Sequence, residues 1–313
     1  MARWLDARGQ HGVAVASKGQ WYDALPLMRE GSFWGDFDSE EKYSHALQTG
    51  SDAAIACIPW LSARLGDPSG LPPPLDGAEV ASRLCAPIWG KGIIYGAAVN
   101  YRSHAAESRM QVPDAPLFFI KPFRCIVGPN EDVELPAYSS QPDYEAELAV
   151  VVGKRGKRIP AGIALEHVAG YTILNDVSFR DLQRREVPGR QVTMDWVSGK
   201  ALDSAAPLGP WIVTGDEVGD PQNLDIRLSI DGELRQSGST ADMVFPVAEL
   251  ISHLSRDITL EPGDVIATGT CSGVGRSSGV FLQGGNHIDI SVARVGTLSH
   301  GVRNPSVAIS GHR

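Results

Sequence analysis

From residue 93 onward the chain is written in short apolar runs cut by turn residues: Ile93-Ile-Tyr95, Leu117-Phe-Phe-Ile120, Leu148-Ala-Val-Val-Val152 and Val265-Ile-Ala267. Runs this short, bounded by Gly and Pro, read as strands rather than packed helices. The chain holds 34 Gly and 21 Pro, and those that fall between these runs supply turns, so this part of the chain is committed to a β-rich domain. The sharpest local signal is Leu224-Asp-Ile-Arg-Leu-Ser-Ile230, where apolar and polar residues alternate, followed by Asp231-Gly232 and Glu233-Leu-Arg-Gln236. It predicts a half-buried hairpin with a two-residue turn. Pro246 predicts the first turn of a helix whose Val247, Leu250, Ile251 and Leu254 share a face against the sheet, and Glu261-Pro-Gly-Asp264 predicts the turn into another strand.

The first third is mixed. Ser51 before Asp52-Ala-Ala-Ile-Ala-Cys-Ile58 predicts a capped helix running toward Arg64, with Pro59 kinking or shortening it. Gly66-Asp-Pro-Ser-Gly70 and Pro72-Pro-Pro74 suit a linker. We therefore expect a small N-terminal domain over 1–77, a larger domain over 78–304 and a tail over 305–313, a division that 313 residues allow. No repeat or low-complexity segment interrupts it, and Lys154-Arg-Gly-Lys-Arg158 reads as a solvated turn.

Charge narrows the function classes. The formal net charge of −9 disfavours a phosphate-backbone partner, so nucleic acid is not an expected ligand. No apolar run reaches the length of a membrane span, and Met1-Ala-Arg-Trp-Leu-Asp6 lacks the continuous apolar stretch of a signal peptide, so a cytoplasmic protein is expected. Cys57, Cys85, Cys125 and Cys271 show no C-x-x-C spacing and are read as reduced thiols.

In Asp143-Tyr-Glu-Ala-Glu-Leu-Ala-Val-Val-Val152, Glu145 and Glu147 stand two apart at the head of a strand, so their carboxylates project from one face. Like charges held close need a cation. Tyr171-Thr-Ile-Leu-Asn175 reads as a second strand that delivers Asp176 at its end, with a helix expected from Val177 or Ser178. Three oxygen donors without Cys or His suit a hard ion, Mg²⁺ or Mn²⁺ before Zn²⁺. An exposed strand face gives Glu145 and Glu147 the same spacing, and spacing alone does not bring Asp176 to them.

On that expected helix, Arg180 and Gln183 fall four and seven residues after Asp176, on one stripe. Arg suits a substrate carboxylate and a Gln amide can donate to an oxyanion, although surface residues share the pattern. In Asn100-Tyr-Arg-Ser-His-Ala-Ala-Glu107, His104 and Glu107 are neighbours on a helical turn. They form either a surface ion pair or a general base whose imidazole the carboxylate orients and makes more basic. The Pro-ended stretch Ser108-Arg-Met-Gln-Val-Pro-Asp114 after them suits a mobile cover.

Taken in order, these pieces resemble the fumarylacetoacetate hydrolase family, in particular its smaller acylpyruvate hydrolase-like branch. The matching stretches are Tyr95-Gly with Asn100-Tyr-Arg-Ser-His-Ala-Ala-Glu107, Pro116-Leu-Phe-Phe-Ile-Lys-Pro122, Asp143 to Gly153, Asn175-Asp-Val-Ser-Phe-Arg-Asp-Leu-Gln183, Gly199-Lys200, Pro262-Gly-Asp-Val-Ile-Ala-Thr-Gly-Thr270 and Gly273-Val-Gly275. They span about 90 to 300. The resemblance implies an α+β, mostly β fold: a mixed β-roll or sandwich catalytic domain, a small N-terminal domain and a homodimer. It implies Glu145, Glu147 and Asp176 as ligands of Mg²⁺ or Mn²⁺, and His104 with Glu107 as a water-activating pair on a lid. Arg180, Gln183 and Lys200 fall at positions that bind substrate or stabilise charge, and Thr270 beside the substrate carboxylate.

Some residues depart from the pattern. No Asp stands before His104 where the founding branch has a further metal ligand, so three carboxylates are expected. Cys271 replaces the usual Pro after Thr-Gly-Thr, and Phe123-Arg-Cys125 replaces small residues after Lys-Pro; both changes are expected to border the pocket. Arg124 is a candidate for a second substrate carboxylate or for a structural salt bridge. The activity implied is hydrolytic cleavage of a C–C bond in an acylpyruvate or related 1,3-diketo acid, in catabolism of aromatic or sugar-acid compounds. An oxaloacetate-type decarboxylase or a keto-enol isomerase is chemically adjacent. A nucleotide-binding module at Gly269-Thr-Cys-Ser-Gly-Val-Gly275 is a poor alternative, since neither G-x-G-x-x-G nor a phosphate loop occurs there, and G-x-S-x-G is also lacking.

Overall fold

The strand Ala146–Val152 is apolar on both faces after Glu147, and it occupies the middle of a seven-stranded mixed sheet. The sheet order is Leu117–Pro122, Ile93–Ala98, Val265–Ala267, Ala146–Val152, Val168–Asn175, Ala206–Val213 and Ile126–Val127. Ile93–Ala98 runs parallel to Val265–Ala267, and Ile126–Val127 parallel to Ala206–Val213; the other neighbours are antiparallel. A strand buried on both sides needs apolar residues at consecutive positions, which is why Leu148-Ala-Val-Val-Val152 reads as a continuous run. The structure, a computed structural model, describes residues 1–5, 11–30, 55, 57–67, 70–186, 189 and 193–305.

The two faces of this sheet meet different neighbours. Leu148 and Val150 join Ile173 and face a five-stranded sheet, where they pack with Ile226, Leu228 and Ile290. That sheet has the order Glu233–Ser239, Asp225–Ile230, His287–Val292, Gly296–Arg303 and Asp132–Glu134. Ala149 and Val151 point the other way, with Ile94, Leu174, Val265 and Leu208. A further antiparallel five-stranded sheet has the order Pro74–Leu75, Gln20–Asp23, His11–Ser17, Ala2–Leu5 and Leu84–Cys85, and the core beside it includes Val13, Val15, Leu27 and Leu61. The chain is thus mostly strand, with short helices.

The hairpin Asp225–Ile230 and Glu233–Ser239 turns at Asp231 (φ 51°) and Gly232 (φ 81°), the left-handed pair that a two-residue turn requires. Pro246 caps the helix Val247–Leu254 from just outside; its Val247, Leu250, Ile251 and Leu254 are buried in the inter-sheet core beside the 3₁₀ turn Ala161–His167. The helix Ile58–Leu65 has Pro59 in its first turn, so of the two expected effects of the proline it is a shortened helix and not a kink that is seen. The expected cap Ser51, with residues 52–54, lies outside the described residues, as do 68 and 69 of the linker and 306–313 of the tail. Among the described residues no helix is long and apolar enough to cross a membrane.

Candidate active site

Register brings the acidic residues together. Ala146 pairs with Asn175 and Glu147 with Leu174, so Glu145 stands opposite Asp176, whose N–H donates to the Glu145 carbonyl at 2.9 Å. Glu145, Glu147 and Asp176 share the face of Ala149, Val151 and Leu174, as period two demands. Each offers an oxygen, all within 4.8 Å of one another, and all three are buried. Asn175 holds the head of the strand: its Oδ1 accepts from the Glu145 N–H at 3.0 Å, and its Nδ2 lies 2.9 Å from His300 Nε2. His300 Nδ1 lies 3.0 Å from the Gly301 carbonyl, so Nδ1 carries the proton and Nε2 accepts.

Cations surround this cluster unevenly. Lys200 Nζ donates to Glu145 Oε2 at 2.6 Å and to Asp176 Oδ2 at 2.5 Å, and lies 4.9 Å above the Phe119 ring. Burial disfavours its charge, but Asp176 and Glu145 outweigh that and raise its pKa. Lys121 Nζ donates to Asp176 Oδ1 at 2.6 Å and to the Val177 carbonyl at 3.1 Å. Arg180 pairs through Nε with Asp143 at 2.8 Å and through Nη2 with Glu145. Burial works against the ionised form of Glu145, yet Arg180 and Lys200 hold it well below the usual carboxylate range. Glu147 is different. It receives only the Gly269 N–H at 2.8 Å and makes no ion pair among the described residues. Burial, then Asp176 and Glu145, push its pKa well up.

A hard divalent cation fits this arrangement. The donors are all oxygen, they converge from two adjacent strands, and the carboxylate that makes no ion pair among the described residues is the one its neighbours penalise.

The helix Arg102–Glu107 places His104 beside the cluster, 7% exposed. Asn100 fixes its approach by donating to the Phe245 and Thr268 carbonyls and accepting from the Phe245 N–H. His104 Nδ1 is 3.9 Å from Glu107 Oε1, too far for a hydrogen bond, while Glu107 Oε2 accepts from the Gly273 N–H at 2.7 Å. Burial lowers the His104 pKa, with Arg180 and Lys200 adding to it against Glu145 and Glu107. The expected increase in basicity is therefore reversed, because desolvation outweighs the carboxylate.

The expected helical stripe from Asp176 does not form. Ser178–Phe179 pairs as a short strand with Pro142–Asp143, and only Arg180–Gln183 makes a helical turn. Arg180 and Gln183 nevertheless reach the site, three apart on that turn. The guanidinium of Arg180 is engaged by two protein carboxylates. Gln183 is buried, its amide makes no hydrogen bond among the described residues, and it packs against Gly199, where an added Cβ would lie 2.6 Å from the Gln183 Cβ. Thr270 also lines the cavity, but its hydroxyl donates to the Ala146 carbonyl at 2.9 Å and accepts from Gln236 Nε2 at 2.8 Å. Its single proton is thereby committed.

The cavity measures about 90 Å³, and Ala98, Val99, Met110, Phe119, Met194 and Trp196 form its less polar walls. Phe119 stacks on Trp196 at 5.1 Å and covers Gly96, where a Cβ would fall 2.2 Å from the ring. Ser108 and Met110, from the expected cover, line it too. Cys271 and Phe123–Cys125 do not border it: Cys271 is fully buried behind Thr270 against Gly238, and the Phe123 ring covers Gly92. Arg124 lies in a separate surface groove with Tyr138, Asp203 and Arg303.

Three residues escaped the sequence reading. Asp143, fully buried, accepts from the backbone N–H groups of Tyr144, Gly275 and Arg276 as well as from Arg180. Its signal was the same period-two spacing that picked out Glu145 and Glu147. Lys121 is a fully buried lysine in an apolar strand, which implies a carboxylate partner. Arg276 lines the cavity and had no local signal.

Residues 93–303 match the family described as Fumarylacetoacetate (FAA) hydrolase C-terminal. The 2,4-didehydro-3-deoxy-L-rhamnonate hydrolase of Sphingomonas sp. (strain SKA58) is 41% identical over 232 residues, 71% of this chain and 79% of that protein. The structure of fumarylacetoacetate hydrolase from psychrophilic Exiguobacterium antarcticum superposes with a TM-score of 0.75 at 32% identity, over 97% of this chain and 99% of that one. Fumarylpyruvate hydrolase from Pseudomonas aeruginosa, in complex with Mn²⁺ and pyruvate, gives 0.62 at 33% identity, over 70% and 92%. With the family matched across the β-rich region and the fold shared along nearly the whole length, this chain belongs to the fumarylacetoacetate hydrolase family.

Proposed function

We propose that the chain is a Mg²⁺- or Mn²⁺-dependent hydrolase that cleaves a carbon–carbon bond in an acylpyruvate or related 1,3-diketo acid. The observation that carries this is Glu147: a buried carboxylate beside Glu145 and Asp176 that makes no ion pair among the described residues. A divalent ion held by these three residues supplies Lewis acidity toward a bound 2-oxo acid. Related proteins add support, since the fumarylpyruvate hydrolase structure contains Mn²⁺ and pyruvate.

The chain's own groups divide the remaining work. Burial favours the neutral form of His104, and with Nδ1 turned toward Glu107 its Nε2, which makes no hydrogen bond among the described residues, takes a proton from water. The hydroxide so formed adds to the distal carbonyl carbon, and the Gln183 amide donates to the resulting oxyanion. The bond between that carbon and the methylene then breaks, with its electron pair going to the pyruvate-type fragment. Lys200, held charged by Glu145 and Asp176, offsets the negative charge on that fragment. Protonation completes pyruvate, or a related keto acid, and a carboxylic acid.

The test is turnover of a panel of acylpyruvates, oxaloacetate and hydroxylated dienoates, each with and without exhaustive chelation. Acylpyruvate hydrolysis that vanishes with chelator and returns with Mg²⁺ or Mn²⁺ is expected. Chelator-resistant hydrolysis, or turnover confined to oxaloacetate, refutes the reading.

A further inference from the structure

The acidic cluster accounts for most of the charge in the cavity, but not for Arg276. Its backbone N–H donates to Asp143 Oδ2 at 3.0 Å, and the preceding Gly275 N–H donates to Asp143 Oδ1 at 2.6 Å. Gly275 is needed there, because a Cβ would lie 2.7 Å from that oxygen. The same carboxylate holds Arg180, so the turn Gly275–Ser278 is fastened to the site at its base. The Arg276 guanidinium has no such fastening: it lines the cavity, is exposed, and makes no hydrogen bond or ion pair among the described residues.

Its electrostatic neighbours make this costly. Partial burial, then Arg184 and Arg180, disfavour the charge, while the nearby carboxylates Asp143 and Glu145 are already paired with Arg180. Arg184 stands on the short strand Arg184–Arg185, which pairs with Thr193–Met194 beside the cavity, and it also makes no ion pair among the described residues; its neighbour Arg185 does, with Asp195. A protein of net charge −9 has little general cause to gather unmatched guanidinium groups. A planar guanidinium left unpaired at the mouth of a site is suited to receive a carboxylate through its fork. Phe119, Met194 and Trp196 line the same cavity as Arg276 and Lys200, with Phe119 stacked on Trp196 and lying under the Lys200 ammonium, and they offer a carbon chain apolar contact.

We infer that Arg276 is a specificity-determining residue that reads a second carboxylate at the far end of the substrate, so that the preferred substrates are dicarboxylic 2-oxo acids. Arg184 adds to the positive field but does not complete the contact. The inference rests on the proposed 2-oxo-acid chemistry and narrows it to acyl groups that end in an anion, against neutral aliphatic or hydroxylated ones.

The experiment is titration calorimetry of the Mg²⁺-loaded protein with paired probes of five to seven carbons. The 2-oxo dioates 2-oxoglutarate, 2-oxoadipate and 2-oxopimelate are compared with the 2-oxo monoacids of equal length. At the best-fitting length the dioate should bind about tenfold or more tightly than its monoacid partner, as a charge-assisted contact implies. Arg276→Gln should bring that ratio to within about threefold, and Arg276→Lys should retain an intermediate preference, because it keeps charge without the fork. Free acetate added to the monoacid should not restore the dioate affinity if the anion must belong to the substrate. Equal binding of dioate and monoacid at every length, an unchanged ratio in Arg276→Gln, or full restoration by acetate overturns the inference while leaving the 2-oxo-acid reading intact. Failure of both series to bind removes that reading, and this inference with it.

Discussion

His300 gives the site an acid sensitivity that can be calculated. Burial lowers its pKa to about 4, the Gly301 carbonyl and the more distant Asp132 and Asp289 oppose this, and His287 adds to it. Because the folded value lies below the ordinary 6.5, the unfolded chain binds more protons between the two. Stability from this group is full above pH 6.5 and is lost as pH falls through 6.5 toward 4. The whole interval is worth about 3 kcal/mol, of which about 2 kcal/mol disappears between pH 7 and pH 5. Protonation also has a local consequence. Nε2 would become a donor facing the Asn175 amide N–H, so the amide must turn, and the Glu145 N–H loses the oxygen that holds it. The assay is urea unfolding of chelator-treated protein, followed by tryptophan fluorescence at pH 7, 6 and 5, for wild type and His300→Gln. Wild type should lose about 2 kcal/mol more than the variant over that range. Parallel pH dependences in the two proteins would show that His300 does not titrate as its surroundings dictate.

Other outcomes follow from the same geometry. Glu147→Gln should make the metal-free protein more stable than wild type at pH 8 and no different near pH 4, because the folded pKa of Glu147 is raised and its ionisation is penalised only above the ordinary range; it should also abolish the rise in melting temperature on adding Mg²⁺, and thermal shift assays with and without chelator check both. His104→Ala should reduce acylpyruvate hydrolysis by about 100-fold or more while Mg²⁺ binding, read by calorimetry, is kept; turnover at the wild-type rate would move the chemistry to a route without a water-activating base. Gly96→Ala should cost about 1 to 3 kcal/mol by driving a methyl into the Phe119 ring, and should raise KM more than it lowers kcat because Phe119 is wall rather than acid or base. Chemical denaturation and steady-state kinetics test that pair of effects.

What the sequence made legible depended on how local the determining physics is. Asp231 and Gly232 specify a turn with their own backbone preferences, and the alternation of Glu145 and Glu147 survives because strand geometry enforces period two whatever lies around it. Asp176 was found by its place at a strand end, but the extension of a helix from it to Arg180 and Gln183 failed: Ser178–Phe179 obtains its hydrogen bonds from Pro142–Asp143, about 35 residues earlier, and no local pattern carries that information. His104 lies buried beside the cluster, and the expected direction of its pKa does not hold, since helical spacing shows the neighbouring Glu107 and conceals the burial.

The largest gap was the division of labour among the arginines. Sequence spacing offered Arg180 to a substrate carboxylate, and the departure from the family pattern at Phe123-Arg-Cys125 offered Arg124 to a second one or to a structural salt bridge. In the folded chain Arg180 is held by Asp143 and Glu145, and Arg124 faces another groove. Asp143 links these facts: one carboxylate orients Arg180 toward the acidic cluster and, through two backbone N–H groups, seats the turn that carries Arg276 at the cavity. A change at Asp143 should therefore disturb two functions together. Asp143→Asn keeps the size of the side chain but removes the charge that balances Arg180, so Arg180 should bear more fully on Glu145 and weaken its hold on a divalent ion, while the Arg276 turn loses its anchor. Mg²⁺ affinity and the dioate preference should fall in the same variant, whereas Arg276→Gln lowers only the second. Calorimetric titration of both variants with Mg²⁺ and then with 2-oxoadipate separates the cases, and an Asp143→Asn protein that keeps either property at the wild-type value would show that the two ends of the cavity are held independently.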